Sequence, residues 1–331
     1  MAPPRPEAAY FDAAQNAWIL SRYADVWAAL REPNLWPVSG QREILPEIRD
    51  ESGRLKRRSE MLDALSAARL EEWRPRLEAL TNSALDCLST DRPVDLLAEF
   101  ALPWGLALAM LVMRAETADS RRLADLGGRV FAATGESEDA GVRENAAAAT
   151  AELERIFEAG PLPMAEPTFV ALSQALPHLL ASAWLALARH PDEYARLRAC
   201  PDLLAGAIEE LLRYSGMVRR VFRRATAYVD LGGVSIAQGD LVVLNLASAN
   251  RDPEQFPDPD RLDFTRPVTG HVALGAGRNS CVGAMLIRVA SALATGALTA
   301  RFAEARFGSV GGWRIGTGFY FPASVYVTLQ R

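Results

Sequence analysis

The chain has 331 residues and a mass of 36.0 kDa, enough for one large domain or two at roughly 100–200 residues each. Half of the residues are hydrophobic and 23% are charged, with 36 Lys+Arg against 41 Asp+Glu, a balance that excludes a disordered chain, a collagen-like repeat and a disulfide scaffold. Without a dense Lys/Arg stripe to neutralise phosphates, no nucleic-acid partner is expected.

From the N-terminus, Met1-Ala-Pro-Pro-Arg-Pro-Glu has no apolar stretch behind its charge, so neither a signal peptide nor a lipidation signal is read and a cytoplasmic protein is expected. Apolar spacing and punctuation predict helices over 23–31, 66–88, 95–113, 119–133, 142–158, 167–189, 192–199, 203–214 and 282–303. The apolar run from Phe100 to Met113 falls short of the ~20 residues a spanning helix needs and contains Pro103 and Gly105, which makes it a core helix, so no membrane contact is expected. Strands are predicted over 18–21, 228–231, 241–245 and 320–329. The fold class is therefore mainly α with small β-sheets. No repeat or linker-like shift appears, and residues 1–331 are read as a single domain.

Three features in order carry chemistry. Glu210-Leu-Leu-Arg213 lies on a predicted helix; alone, such a pair three residues apart is commonly a surface ion pair. The stretch from Ala249 to Pro267, with four prolines and five acidic residues, is a long loop whose Phe256, Leu262 and Phe264 suggest packing. Last comes Gly275-Ala-Gly277-Arg-Asn-Ser-Cys281-Val-Gly283 leading into a helix. A cysteine at a helix start has backbone N–H groups aimed at its sulfur and a dipole that favours the thiolate, a metal ligand. Glycines there let backbone approach a flat, bulky cofactor. Cys87 and Cys200 have no such neighbours and read as structural.

With these residues in view, the sequence resembles the cytochrome P450 family of haem-thiolate oxygenases, especially its bacterial members. Glu-x-x-Arg, Ala-Asn-Arg-Asp-Pro with Phe-Pro-Asp-Pro-Asp-Arg, and Gly-x-Gly-x-x-x-Cys-x-Gly stand in the family's order, and Trp18-Ile-Leu-Ser-Arg-Tyr-Ala-Asp-Val resembles its first strand and following helix. The resemblance implies haem b (iron protoporphyrin IX) with Cys281 as its proximal ligand and Gly275 and Gly277 in the cofactor loop. It also implies a structural ion pair between Glu210 and Arg213, tied to the loop of Asn250 and Arg251, and Arg223 as the holder of a haem propionate.

Several positions depart from the family. Leu274 replaces its Phe, Asn279 its basic residue before the cysteine, and Glu51-Ser-Gly-Arg-Leu-Lys-Arg-Arg58 its His-x-x-x-Arg helix. Either Lys56 or Arg58 would then meet a propionate, with a plain solvated basic face as the alternative. Aligned backward from Leu187-Ala-Arg-His-Pro191, the helix 167–189 takes the place of the family's distal helix. Where the family has a small pair and then an acid and an alcohol that deliver protons, this chain has Ala171-Leu172, Gln174 and Ala175. Glutamine has no titratable proton in the useful range and alanine no polar group at all. Gln174 and Ala175 are thus the altered catalytic pair, unless Gln174 faces a neighbouring helix. Pro177 should kink this helix and open a carbonyl near the distal pocket.

Set against the family, the chain is expected to lack an N-terminal leader and the segment before the distal helix, with Gly160-Pro-Leu-Pro-Met-Ala-Glu166 as a direct bridge. The pocket should be unusually open or completed by a second subunit as a homodimer. Ala171, Gln174, Met217, Val218, Phe319 and Tyr320 are expected to line the substrate side, and Arg219 and Arg220 either recognise an anionic substrate or are surface residues. The expected function is a haem-thiolate enzyme of specialised metabolism that modifies a small organic molecule without the acid–alcohol relay: peroxide-driven, substrate-assisted or non-oxygenating. The alternatives are a conventional monooxygenase fed by a ferredoxin or flavoprotein reductase, and a degenerate haem sensor.

Overall fold

The computed structural model describes residues 5–38, 51–134, 139–267, 270–316 and 318–331; the first four residues of the segment read for targeting signals lie outside them. Helix dominates, as the sequence predicts. The five-stranded sheet takes β1 (Tyr10–Asp12), β2 (Ala17–Leu20), β3 (Leu35–Pro37), β5 (Arg220–Ala225) and β8 (Leu241–Asn245) in the order β1-β2-β8-β5-β3. β2 and β8 run parallel, Ala17 opposite Leu241, and the other pairs are antiparallel. All five residues of β8 are buried. Helix α1 (Tyr23–Arg31) packs Val26 and Leu30 with Leu20, Val242 and Leu244 to close one apolar cluster.

The larger cluster lies among the helices. Phe100 stacks on Trp184 at 5.0 Å and 7°, and both buried indoles find acceptors: Trp104 Nε1 donates to Thr81 Oγ1 at 2.9 Å and Trp184 Nε1 to Thr295 Oγ1 at 3.1 Å, as burial of a polar ring atom requires.

Through the larger cluster runs the distal helix in three pieces, α7 (Ala165–Val170), a π-helical turn over Ala171–Ala175 and α8 (Leu176–Arg189). Pro167 sits in the first turn, where its missing N–H removes nothing. Pro177 lies inside the helix and cannot donate, and just ahead of it the chain widens so that the Leu176 N–H reaches back to the Ala171 carbonyl. The expected irregularity at Pro177 is thus present, but the displaced backbone does not open toward a pocket. The Leu172 carbonyl and the Pro177 ring instead lie against Gly105 of helix α4 (Leu102–Val112), 2.8 and 2.4 Å from where a Cβ on that glycine would stand. The stretch from Ala165 to Arg189 is long and apolar enough to cross a membrane, yet 89% of its most apolar window is buried within the fold, so it is a core helix.

Some elements differ from the sequence reading. Glu51–Ala64 is a helix, here α2, and β5 and β9 (Glu304–Val310) are strands. The expected strand 320–329 is broken into β11 (Tyr320–Pro322) and β12 (Val325–Gln330).

Candidate active site

Cys281 closes a tight loop. Its N–H donates to the Leu274 carbonyl at 2.9 Å, and the Gly275 N–H to that of Val272 at 2.9 Å. Gly275 and Gly277 take φ of +71° and +66°, the left-handed region that glycine enters without a Cβ penalty. Only Gly275 lines the cavity over the cysteine. Gly277 instead lies against the end of α1, where a Cβ would come 3.1 Å from the Leu30 carbonyl oxygen.

The next long helix, Ala284–Arg301, begins just beyond Gly283. Burial pushes the Cys281 thiol up; the Gly283 N–H and the charges of Arg58 and Arg288 work against that shift. The surroundings of the sulfur thus already contain the donors and charges that a thiolate needs.

The loop is held from behind. Arg213 donates from Nε and Nη2 to both oxygens of Glu210, at 2.7 and 2.8 Å, with the two side chains 2% and 0% exposed. Its Nη1 donates to the carbonyls of Asn250 and Pro259 at 2.8 and 2.9 Å. Asn250 Oδ1 in turn accepts from the Val272 N–H at 2.8 Å. The buried pair thus ties the proline-rich loop to the strand of chain that carries the cysteine. Phe256, Leu262 and Phe264 of that loop are buried. A second brace is Glu209, which accepts from Arg288 at 2.5 and 2.9 Å and meets His271 Nε2 at 3.0 Å. Burial raises the Glu209 carboxyl, but the contacts from His271 and Arg288 outweigh it and bring its pKa down to about 2.

Over Cys281 lies a cavity of about 430 Å³ between this loop, the distal helix and the segment after Glu-x-x-Arg. The distal helix presents Thr168, Ala171, Leu172, Ala175, Leu176 and Leu179 to it, residues three and four apart that share one face. Met217 and Val218 complete the opposite wall. Cys281, Arg223, Asn279 and Thr168 are the polar side chains, and no carboxylate is among the lining residues. Arg223 is 6% exposed; its Nη1 donates to the Phe222 carbonyl at 2.9 Å, its Nε has no partner among the described residues, and burial pushes its pKa down to about 10.

The family model of cytochrome P450 matches residues 185–304. Over 88% of its length the chain is 33% identical to cytochrome P450 107B1 of Saccharopolyspora erythraea, of which 83% is covered. The chain belongs to the cytochrome P450 family. It is also 30% identical to nocardicin C N-oxygenase of Nocardia uniformis over 95% of this chain and 90% of that one. The crystal structure of CalO2 superposes with a TM-score of 0.84 at 24% identity over 98% of this chain and 93% of that one, which is a likeness of fold.

P450s bind haem through a cysteine thiolate, and the residues present in this P450 fit that group. An apolar slot opens on a sulfur with converging N–H and cationic support, and Arg223, a buried guanidinium whose Nε has no partner among the described residues, lines the same cavity, as the carboxylates of a flat apolar macrocycle require.

Of the basic run, Arg58 Nη1 and Nη2 donate to Ser280 O at 2.6 Å and Ser280 Oγ at 2.9 Å, while Lys56 is 78% exposed and faces Glu60 at 4.0 Å. Gln174 is buried but does not line the cavity: its Nε2 turns toward helix α5 (Ser120–Ala132), 3.5 Å from where a Cβ on Gly127 would stand. A glycine there leaves room for the amide. Phe319 and Tyr320 also lie off this cavity. Phe319 pairs with Val218 as an isolated bridge, and Tyr320 faces a separate cavity with Arg219. Thr168 stands two helical turns before Ala175 on the same cavity face, a position to which the family's acid–alcohol pattern does not point.

The bridge 160–166 before the distal helix borders a wider cavity of about 940 Å³ that shares Met164, Pro167, Asn279 and Val282 with the first. Its lining includes Arg54, Arg57, Arg58 and Arg278 as well as Glu154, Glu158 and Glu166.

Proposed function

We propose that this P450 modifies a small organic molecule of specialised metabolism by a route that does not use an acid–alcohol proton relay. One observation carries the reading: no carboxylate is among the residues lining the cavity at Cys281, Gln174 being turned away toward Gly127. The assignment to specialised metabolism rests on kinship with an enzyme named for nocardicin C.

Cys281 would hold the haem iron, and Arg223 and Arg58 would meet the propionates. When bound, the haem supplies redox-active iron with a thiolate donor that favours O–O cleavage. The chain's own residues then do three things. Ala171, Leu172, Ala175 and Leu176 wall off water on the distal side, Met217 and Val218 hold an apolar substrate body against that wall, and the Thr168 hydroxyl is the one side-chain proton that the cavity face of the distal helix offers. Protons must otherwise come from an acidic group of the substrate or with peroxide, unless the reaction needs no oxygen activation. A second reading is favoured by the names of the relatives: a conventional monooxygenase fed by a ferredoxin or flavoprotein reductase.

The test compares turnover of a generic dealkylation probe with peroxide and with dioxygen plus a surrogate reductase, for wild type, Thr168→Val and Ala175→Thr. The proposal expects peroxide-driven turnover to exceed reductase-driven turnover in the wild type, with Ala175→Thr improving the coupling of the latter. Tight reductase-driven coupling that Ala175→Thr leaves unimproved would overturn it in favour of the second reading.

A further inference from the structure

Two adjacent acids on the helix Leu204–Ser215 do different work. Glu210 holds Arg213, while Glu209 binds two groups that flank the cysteine loop in sequence. Among the described residues its carboxylate meets three N–H groups. Arg288 of the helix Ala284–Arg301 donates from Nε and Nη2 at 2.5 and 2.9 Å, and His271, just before the loop, reaches it with Nε2 at 3.0 Å. The Ala273 N–H donates to His271 Nδ1 at 3.2 Å, so the ring proton lies on Nε2 and the imidazole is neutral. The three side chains thus carry one cation and one anion.

The cation of this cluster acts on the sulfur. Helical side chains lean toward the N-terminus of their helix, and Arg288 does so, with Nη1 3.4 Å from the Ala284 carbonyl in the turn that follows Cys281. The influence is mutual: the charge of Arg288 favours the ionised sulfur, and the sulfur favours the charged guanidinium. Glu209 sits on that same guanidinium with the opposite sign. The Arg288 and Glu209 side chains are 41% and 21% exposed, so water and salt screen part of their fields and leave part to act on the loop. His271, being neutral, adds no charge; it is the third donor that keeps the carboxylate turned to Arg288.

We propose that Glu209 is a positioning residue for the redox chemistry of this P450: by neutralising Arg288 beside the cysteine loop, it holds the reduction potential of the haem below the value that Arg288 alone would impose. The inference rests on Cys281 being the haem ligand. On reduction the iron takes one electron from an external one-electron donor and the site gains one negative charge. A nearby cation favours that gain and a nearby anion opposes it, so the two members of the pair pull the potential in opposite directions.

The test is a redox titration of the holoprotein with dithionite and mediator dyes, followed by absorbance at fixed pH and ionic strength. It compares wild type, Glu209→Gln, Arg288→Gln and Arg288→Lys, each also measured for its reduced carbon-monoxide band. Glu209→Gln should raise the potential and Arg288→Gln lower it, each by at least threefold in the reduction equilibrium constant, or about 28 mV for one electron. Arg288→Lys keeps the charge without the fork and should stay closer to wild type than Arg288→Gln. A loosened loop would move Glu209→Gln and Arg288→Gln the same way, so opposite signs separate charge from structure. Shifts of one sign, or none, in variants that keep the thiolate band would overturn the inference and leave the ligand assignment standing. Equal potentials for Arg288→Gln and Arg288→Lys would overturn it even if Glu209→Gln retained no haem. A wild type without the thiolate band would overturn the ligand assignment and the inference with it.

Discussion

Arg58 grips Ser280 with both ends of its guanidinium, Nη1 on the carbonyl at 2.6 Å and Nη2 on the hydroxyl at 2.9 Å. Helix α2 is thereby fastened to the residue that precedes Cys281. A charge-assisted bond of this kind contributes about 1.5–3 kcal/mol, and the same side chain lowers the thiol pKa against burial. Arg58→Ala should reduce the haem retained per chain after gel filtration and lower the melting temperature. Lys56→Ala, at a side chain 78% exposed, should change neither, and an equal loss in both would contradict the placement of α2.

Removing either half of the Glu210–Arg213 pair leaves a charge with no water to solvate it. Such a loss costs about 3–5 kcal/mol, a large fraction of a domain's stability. Glu210→Ala and Arg213→Ala should therefore fold poorly or purify without haem. A variant with full haem content and an unchanged thermal melt would show that the Asn250–Val272 link holds the cysteine loop unaided.

Glu209 sets part of the acid limit of stability. Its pKa in the fold is about 2 against an ordinary 4.5, so its contribution is fully present above the unfolded value and is lost as pH falls through the folded one. Between pH ~5 and ~2 stability should fall with a slope that Glu209→Gln makes shallower. Urea titrations across that range test it, and parallel curves for the two proteins would contradict it.

Much of this architecture is legible in the sequence because it is written in periodic or contiguous signals. The distal helix 167–189 follows from its apolar run, and the Cys281 loop from its glycines. Other parts are hidden by chemistry that looks like surface. Helix α2 carries Arg54, Lys56, Arg57 and Arg58, so its charge masks its fold, and β5 reads as a basic run because Arg220, Arg223 and Arg224 break the alternation expected of a strand. The direction of Gln174 was unreadable for another reason. It depends on Gly127, 47 residues away in sequence, whose missing side chain gives the amide a place to turn.

Gly105 gives that interlocking a direct test. An added Cβ would stand 2.4 Å from Pro177 Cγ and 2.8 Å from the Leu172 carbonyl oxygen, neither of them the free end of a flexible chain. Gly105→Ala gains helix propensity of up to ~1 kcal/mol but forces the π-helical turn to shift, at about 1–3 kcal/mol for overpacking. The expected result is a lower melting temperature together with an altered haem absorption spectrum. A more stable protein with an unchanged spectrum would mean that the turn and the cavity face are not coupled.

The central claim is that Cys281 is the thiolate ligand of the haem, and the reduced carbon-monoxide difference spectrum tests it most directly. The wild type should give the red-shifted band of thiolate ligation, and Cys281→Ser should lose it. A wild type that binds haem without that band, or a Cys281→Ser variant that keeps it, would contradict the account.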